Sequence, residues 1–302
     1  MSVDFHPKGT QVAFGTQGGV LRVRDLTGQG GDVTLENVAG WLQYSPNVVA
    51  MKPNGLSLGI PSLLTLAPDS QLSIWYPDTW QRQGYYPDAG TNGALSRNGR
   101  TAAFTFGKGD IHIWPLHHWD PSYDQIKMPR PDDVNGVVTA LGLNDSASVL
   151  ASGYLLENGK GLMIVWDRPT GHELSRFSLE QAPGQFAFPP KSKSCFAVVG
   201  RNANGSGLVQ LLKPKGEGII ATLPAPPSAV LSAAFSYDEK YLATGRWDGQ
   251  IDIWDVRKQQ IVISLPQAHQ GPIRCLAWTP DDRTLASGGE DGYLHLWQVG
   301  KP

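Results

Sequence analysis

Cysteine is almost missing from this chain. Cys195 and Cys275 are the two thiols in 302 residues, which is too few for a disulfide framework. Charge is sparse as well. Asp, Glu, Lys and Arg together make up 17% of the sequence, with a formal net charge of −2, against about 25% charged residues in an average protein. No run of five or more Lys/Arg residues occurs, so the electrostatic footprint of a nucleic-acid binder is lacking. Long apolar stretches are missing too. Runs such as Phe196–Val199 fall far short of the ~18 residues needed to cross a bilayer. The opening residues Met1–Pro7 have neither the basic nor the apolar segment of a secretory signal. There is no G-x-x-x-x-G-K-[ST] loop and no G-x-G-x-x-G entering a helix. H-E-x-x-H and C-x-x-C are also absent. These absences predict a protein of a reducing compartment, the cytoplasm, with no cofactor, nucleic acid or membrane contact.

Glycine and proline, at 35 and 23 residues, are abundant, and 40% of the chain is hydrophobic. That composition describes a turn-rich fold with a core. A repeat organises it. Gly249–Asp255 (GQIDIWD) aligns with Gly292–Gln298 (GYLHLWQ). The same frame fits Asp110–Pro115, Leu162–Asp167 and Gln71–Tyr76, and more weakly Val20–Asp25 and Leu208–Lys213. The aligned positions are Arg24, Trp75, Trp114, Trp166, Leu212, Trp254 and Trp297, seven copies in 302 residues or about 43 residues each. Within a copy, apolar segments of strand length alternate with turns. In the last copy they are Ile273–Trp278, Thr284–Ser287 and Tyr293–Val299. Asp291-Gly292 joins the last two, a strong hairpin signal because glycine accepts the positive φ of the turn.

Trp166-Asp167, Trp254-Asp255, Ala268-His269 and the Asp248-Gly249 and Asp291-Gly292 turns give the sequence its resemblance to the WD40-repeat β-propellers. The resemblance is strong over 230–299, clear over 60–170, and degenerate over 3–26 and 184–214. It implies an all-β, seven-bladed propeller in one domain, 1–302. The blades fall near 3–36, 41–80, 93–119, 137–180, 184–223, 230–265 and 272–299. Val3-Asp4-Phe5 reads as the inner strand of the first blade and the chain stops after the third strand of the last. The last blade is therefore expected to lack its outer strand unless another chain or flanking sequence supplies one.

The resemblance also implies a buried tetrad of His, Ser/Thr, Asp and Trp in each blade. A buried polar group needs a partner, and these four can satisfy one another in series. The last blade carries the full set: His269, Ser287, Asp291 and Trp297. Blade six has Thr244, Asp248 and Trp254, but Pro226 stands where the His belongs. Blade two has Thr65, Asp69 and Trp75. Blade four has Ser152 and Trp166 with a lengthened turn at Leu155–Lys160. Trp254→Ala and Trp297→Ala are each expected to cost about 3–5 kcal/mol.

Other residues suit chemistry less well. His117 and His118 are adjacent, and neighbouring side chains on a strand point apart, so they do not converge on a metal ion. Both cysteines read as small buried hydrophobes. Asp132-Asp133 and Asp281-Asp282 read as turn residues that cap their own backbone. No catalytic group is predicted.

Three tryptophans are left over. Trp80 and Trp119 follow third strands and read as covers over outer strands. Trp247 precedes the turn Asp248, on the face of a propeller where such turns gather, and an exposed tryptophan there suits a binding hot spot. Arg246, Glu290, Lys108 and Arg201 join it as expected partner contacts, with Arg274 as a channel-side contributor. The proline-rich connector 115–136 is a further surface loop. The expected function is a non-catalytic scaffold for protein–protein interaction, a sensing or recruiting module of a larger assembly or longer polypeptide. The alternative is a propeller enzyme or small-ligand binder using the central channel.

Overall fold

The computed structural model describes residues 2–15, 20–35, 41–51, 57–66, 72–75, 82–86, 92–96, 98, 100–106, 109–115, 126–191, 195–214 and 218–300. Among them there are strands and turns and no helix, so no helix is long and apolar enough to cross a membrane. The chain divides into two compact units, Met1–Pro131 and Asp132–Pro302.

The first unit holds three antiparallel sheets, each of four strands in chain order. Sheet one is built from Ser2–Phe5, Gln11–Gly15, Leu21–Asp25 and Val33–Leu35. Sheet two comprises Trp41–Met51, Ser57–Leu66, Leu72–Trp75 and Arg82–Tyr86. Sheet three comprises Gly93–Leu95, Thr101–Phe106, Asp110–Pro115 and Ile126–Met128.

The second unit continues the pattern. Sheet four is Gly136–Leu143, Val149–Leu156, Gly161–Asp167 and His172–Leu179. Sheet five is Gln185–Ala187, Phe196–Arg201, Gly207–Leu212 and Ile219–Thr222. Sheet six is Val230–Phe235, Tyr241–Arg246, Ile251–Asp255 and Gln260–Leu265. Sheet seven has only Ile273–Trp278, Thr284–Gly289 and Leu294–Gln298.

Each four-stranded meander has the form of a propeller blade. The expectation of seven needs correction: among the described residues six complete blades are present, and the seventh copy is a three-stranded sheet. Ser2–Phe5 pairs with Gln11–Gly15 as the inner strand of sheet one, and among the described residues no fourth strand pairs beside Leu294–Gln298.

Burial follows strand position. The third strands of sheets four and six are buried almost throughout, whereas the fourth strands alternate between exposed and half-buried residues. Sheet seven departs from this. Its third strand, with no neighbour outside it, is half-buried to exposed along its length. In the second unit the apolar clusters straddle consecutive sheets. Met163 and Val165 of sheet four meet Phe186 and Phe196 of sheet five. Ile251 and Ile253 of sheet six meet Ile273 and Leu276 of sheet seven. A single sheet cannot bury its faces alone; stacking neighbours makes the core.

Two kinds of turn recur. The hairpin between second and third strands appears as Leu156–Lys160, Asn202–Ser206, Arg246–Gln250 and Gly289–Tyr293. In each, the fourth residue is a glycine at positive φ: Gly159 (80°), Gly205 (86°), Gly249 (82°) and Gly292 (84°). The residue before it is Asn158, Asn204, Asp248 or Asp291. Its side-chain oxygen accepts the backbone N–H two positions on, at 3.0–3.4 Å. In sheet four the hairpin is two residue pairs longer, since Tyr154 pairs with Leu162 and Leu155 with Gly161 below the turn.

The turn between first and second strands clasps the preceding sheet. Glu239 of sheet six accepts the Lys191 N–H at 2.6 Å. Asp282 of sheet seven accepts the N–H groups of Tyr237 and Asp238, the latter at 2.8 Å. Both acidic residues sit at positive φ, 62° and 59°.

Trp254 is 1% exposed, whereas Trp297 on the open strand is only half-buried. The equal cost expected from sequence therefore becomes unequal. Trp254→Ala should lower the unfolding free energy by about 3–5 kcal/mol, and Trp297→Ala by at least about 1 kcal/mol less. Urea denaturation of both variants measures the difference.

Candidate functional site

Sheets six and seven place the richest polar chemistry side by side. Their hairpins align residue for residue: Thr244-Gly245-Arg246-Trp247-Asp248-Gly249 with Ser287-Gly288-Gly289-Glu290-Asp291-Gly292. Opposite them, Asp252 pairs with Thr244 and His295 with Ser287.

In sheet seven the four tetrad residues form a continuous chain. Trp297 Nε1–H donates to Ser287 Oγ at 2.8 Å, and Ser287 Oγ lies 2.7 Å from His269 Nε2. His269 Nδ1 stands 3.0 Å from each carboxylate oxygen of Asp291. An ionised carboxylate only accepts, so Nδ1 carries the proton and Nε2 accepts from the serine hydroxyl. The His269 side chain is fully buried and that of Asp291 nearly so. Partial burial pushes the Asp291 carboxyl up. The hydrogen bonds from His269 and from the N–H groups of Gln270 and Tyr293 outweigh it and hold the group below its ordinary value. Gly289 makes the space for the ring: a Cβ there would stand 2.4 Å from His269 Nδ1.

Sheet six solves the same problem differently. Trp254 Nε1–H donates to Thr244 Oγ1 at 2.9 Å. The place corresponding to Gly289 is Arg246, and its guanidinium takes over the pairing with the turn carboxylate. Nε and Nη2 donate to the two oxygens of Asp248 at 2.9 and 2.6 Å, a bidentate fork. Nη1 donates to Asp252 at 3.0 Å. Asp252, fully buried, also accepts from Gln250 Nε2 at 2.7 Å and Ser264 Oγ at 2.6 Å. Burial works against the charged guanidinium, but the two carboxylates outweigh it and raise its pKa. Burial likewise raises Asp248, and Arg246 more than reverses it. In sheet four Trp166 Nε1–H donates to Ser152 Oγ at 2.8 Å, while the longer hairpin carries Asn158 away from that pair.

Arg246, expected as a partner contact, is thus corrected: it is 6% exposed and turned inward between two aspartates. Trp247 beside it points the other way and is 53% exposed. A β-bulge in the first strand of sheet seven, between Ile273 and Cys275, frees Arg274 from the ladder and re-aims it. Its guanidinium carbon lies 5.6 Å from the centre of the Trp247 ring, within cation–π range. Arg274 Nε also donates to Glu290 Oε1 at 2.7 Å, and Nη2 closes the ion pair. The fold therefore brings Trp247, Arg274 and Glu290 into one patch. Arg201 belongs to sheet five, where it donates to Gln181 Oε1 at 3.2 Å. Lys108, Asp69, Trp80, Trp119 and the His117-His118 pair lie outside the described residues. Burial pushes the Cys275 thiol up to about 12, and Asp133 pairs with Arg176.

Asp252 and His295 were passed over in the sequence. The signal for both was the alignment itself: an acid in sheet six and an imidazole in sheet seven at the same third-strand position.

Blade-like meanders, a tryptophan on the third strand and an Asp-Gly hairpin define WD repeats. Residues 218–255 and 259–298 match the family model "WD domain, G-beta repeat", and sheets six and seven are such repeats. Residues of the chain resemble the NACHT domain- and WD repeat-containing protein 1 of Mus musculus, at 35% identity over 69 residues, 23% of this chain and 4% of that protein. They also resemble the telomerase protein component 1 of Rattus norvegicus, at 25% identity over 198 residues, 53% of this chain and 7% of that protein. The chain thus spans less than a tenth of the length of either relative.

Removing the Arg246 side chain would leave Asp248 and Asp252 facing each other. Arg246→Ala should destabilise by about 3–5 kcal/mol, as loss of one partner of a buried pair does; denaturant unfolding measures it. Asp291 has its pKa lowered by folding, so its contribution is present above the unfolded value and lost as pH falls toward the folded one. Asp291→Asn should flatten the decline of the urea midpoint on acidification below pH 3.8 relative to the native protein.

Proposed function

We propose that the chain is a non-catalytic WD-repeat scaffold that binds a protein partner at the patch formed by Trp247, Arg274 and Glu290. One observation carries the reading. A half-exposed tryptophan is held rigidly, on a hairpin whose turn is pinned from beneath by Arg246 and whose ring is braced by Arg274. A large aromatic presented at low entropic cost, with an arginine against its face, is the composition of a binding hot spot. WD repeats generally serve as interaction scaffolds, which supports the same reading.

The earlier copies, ahead of residue 218, belong to the same repeat series on this reading, with degenerate motifs. The module works inside a larger assembly or a longer polypeptide. The WD-repeat relative and the telomerase component are both far longer than this chain. A cytoplasmic location accompanies it, given two free cysteines and no disulfide framework.

Affinity capture with native protein, Trp247→Ala and Arg274→Ala tests the reading. The same bound protein should be lost or depleted more than about tenfold in both variants, while their melting temperatures stay within a few degrees of the native value. Full retention by both variants would reject the patch.

A further inference from the structure

In sheet six a permanent cation, the Arg246 guanidinium, is buried between the turn carboxylate Asp248 and the third-strand carboxylate Asp252. In sheet seven the corresponding residues are Asp291 and His295, while Gly289 brings no side chain and the His269 ring fills the gap. The three side chains His269, Asp291 and His295 each offer one ligand atom, and those atoms all lie within 4.8 Å of one another. The two imidazoles meet edge to face, with ring centres 4.7 Å apart. Ser264, on the fourth strand of sheet six, covers Asp252; sheet seven is three-stranded, and His295 is half-buried.

We propose that His269, Asp291 and His295 form a binding site for a divalent transition-metal ion, zinc foremost. Two imidazoles and one carboxylate are a usual zinc donor set, with a water molecule as the fourth ligand. The metal stands where the arginine charge stands in the sheet before it. His269 coordinates through Nδ1, and the imidazole remains neutral. Its proton passes by way of solvent from Nδ1 to Nε2, which then donates to Ser287 Oγ. Asp291 is already ionised and keeps its backbone donors. Ser287 Oγ then accepts from both Trp297 and His269, and its own hydrogen turns to the carbonyl of His295, the counterpart of the third-strand carbonyls to which Thr244 and Ser152 donate; the serine and tryptophan still orient the ligand, as outer partners of metal-bound histidines do. Relocating the His269 hydrogen bond opposes binding, so the affinity expected is moderate.

Cobalt(II) is the probe, titrated into the native protein and into His295→Phe, which keeps a ring against His269 and Trp297 but has no ligand atom. His295→Ala serves as a second variant should the phenyl ring not pack. The native protein should bind one cobalt ion saturably, with the visible absorption of a tetrahedral site, and zinc should displace it. Affinity should fall more than about tenfold in the variant, since even partners that only orient a ligand are worth roughly 10–100-fold. Zinc should also raise the melting temperature of the native protein and not that of the variant. Equal cobalt affinity in native protein and variant, or no saturable binding at millimolar metal, would overturn the site. The patch at Trp247 does not enter this experiment, so the two proposals stand or fall separately.

Discussion

An indole N–H inside a β-sheet core has to find an acceptor there. Sheets four, six and seven all meet this demand in the same way. A hydroxyl on the second strand stands opposite the tryptophan on the third: Ser152 for Trp166, Thr244 for Trp254 and Ser287 for Trp297, at 2.8–2.9 Å. That short contact fixes the register of the two central strands. The hairpin above it still varies, being two residue pairs longer in sheet four than in sheets six and seven. An unsatisfied buried donor costs about 1–3 kcal/mol, enough to make the pair a constraint on sequence.

What lies above the hydroxyl is freer. Sheet seven continues the relay with a histidine and an aspartate, whereas sheet six stops at the threonine and uses a guanidinium to hold the turn. Only one solution fits at a time, because the histidine ring occupies the space that a side chain at position 289 would need. This exchange explains why Arg246 is inside and Trp247 outside. An arginine drawn onto two carboxylates anchors one strand end, and the next residue along the extended chain faces the other way.

Much of this was readable beforehand. The third-strand tryptophans, the Asp-Gly turns and the short inner strand at Val3–Phe5 were visible as periodic features, because strands and hairpins follow local patterns. Arg246 was misplaced for a physical reason. Next to an exposed tryptophan and in a turn, a charged side chain reads as solvated, and nothing local reveals that Asp252, on the following strand, is buried and needs a counter-charge. His295 escaped for a related reason: its neighbours in space, His269 and Asp291, are 26 and 4 residues away in sequence, and only the pairing of strands brings them together. Lys108 lies outside the described residues, and Arg201 joins a different sheet.

The clasps between neighbouring turns run in one direction. Asp282 caps amides on sheet six, and Glu239 caps an amide on sheet five; each sheet holds down the turn of the one before it. Opening sheet seven strips the caps from sheet six, and opening sheet six does the same to sheet five. Fraying that starts at the C-terminal sheet therefore weakens its predecessor as it goes, while opening sheet five removes the Gln185 side chain that accepts the Ala233 N–H of sheet six at 2.8 Å. The second unit is thus held sheet to sheet in both directions, and losing one sheet exposes polar groups of its neighbours, in the nearest-neighbour manner of stacked repeats.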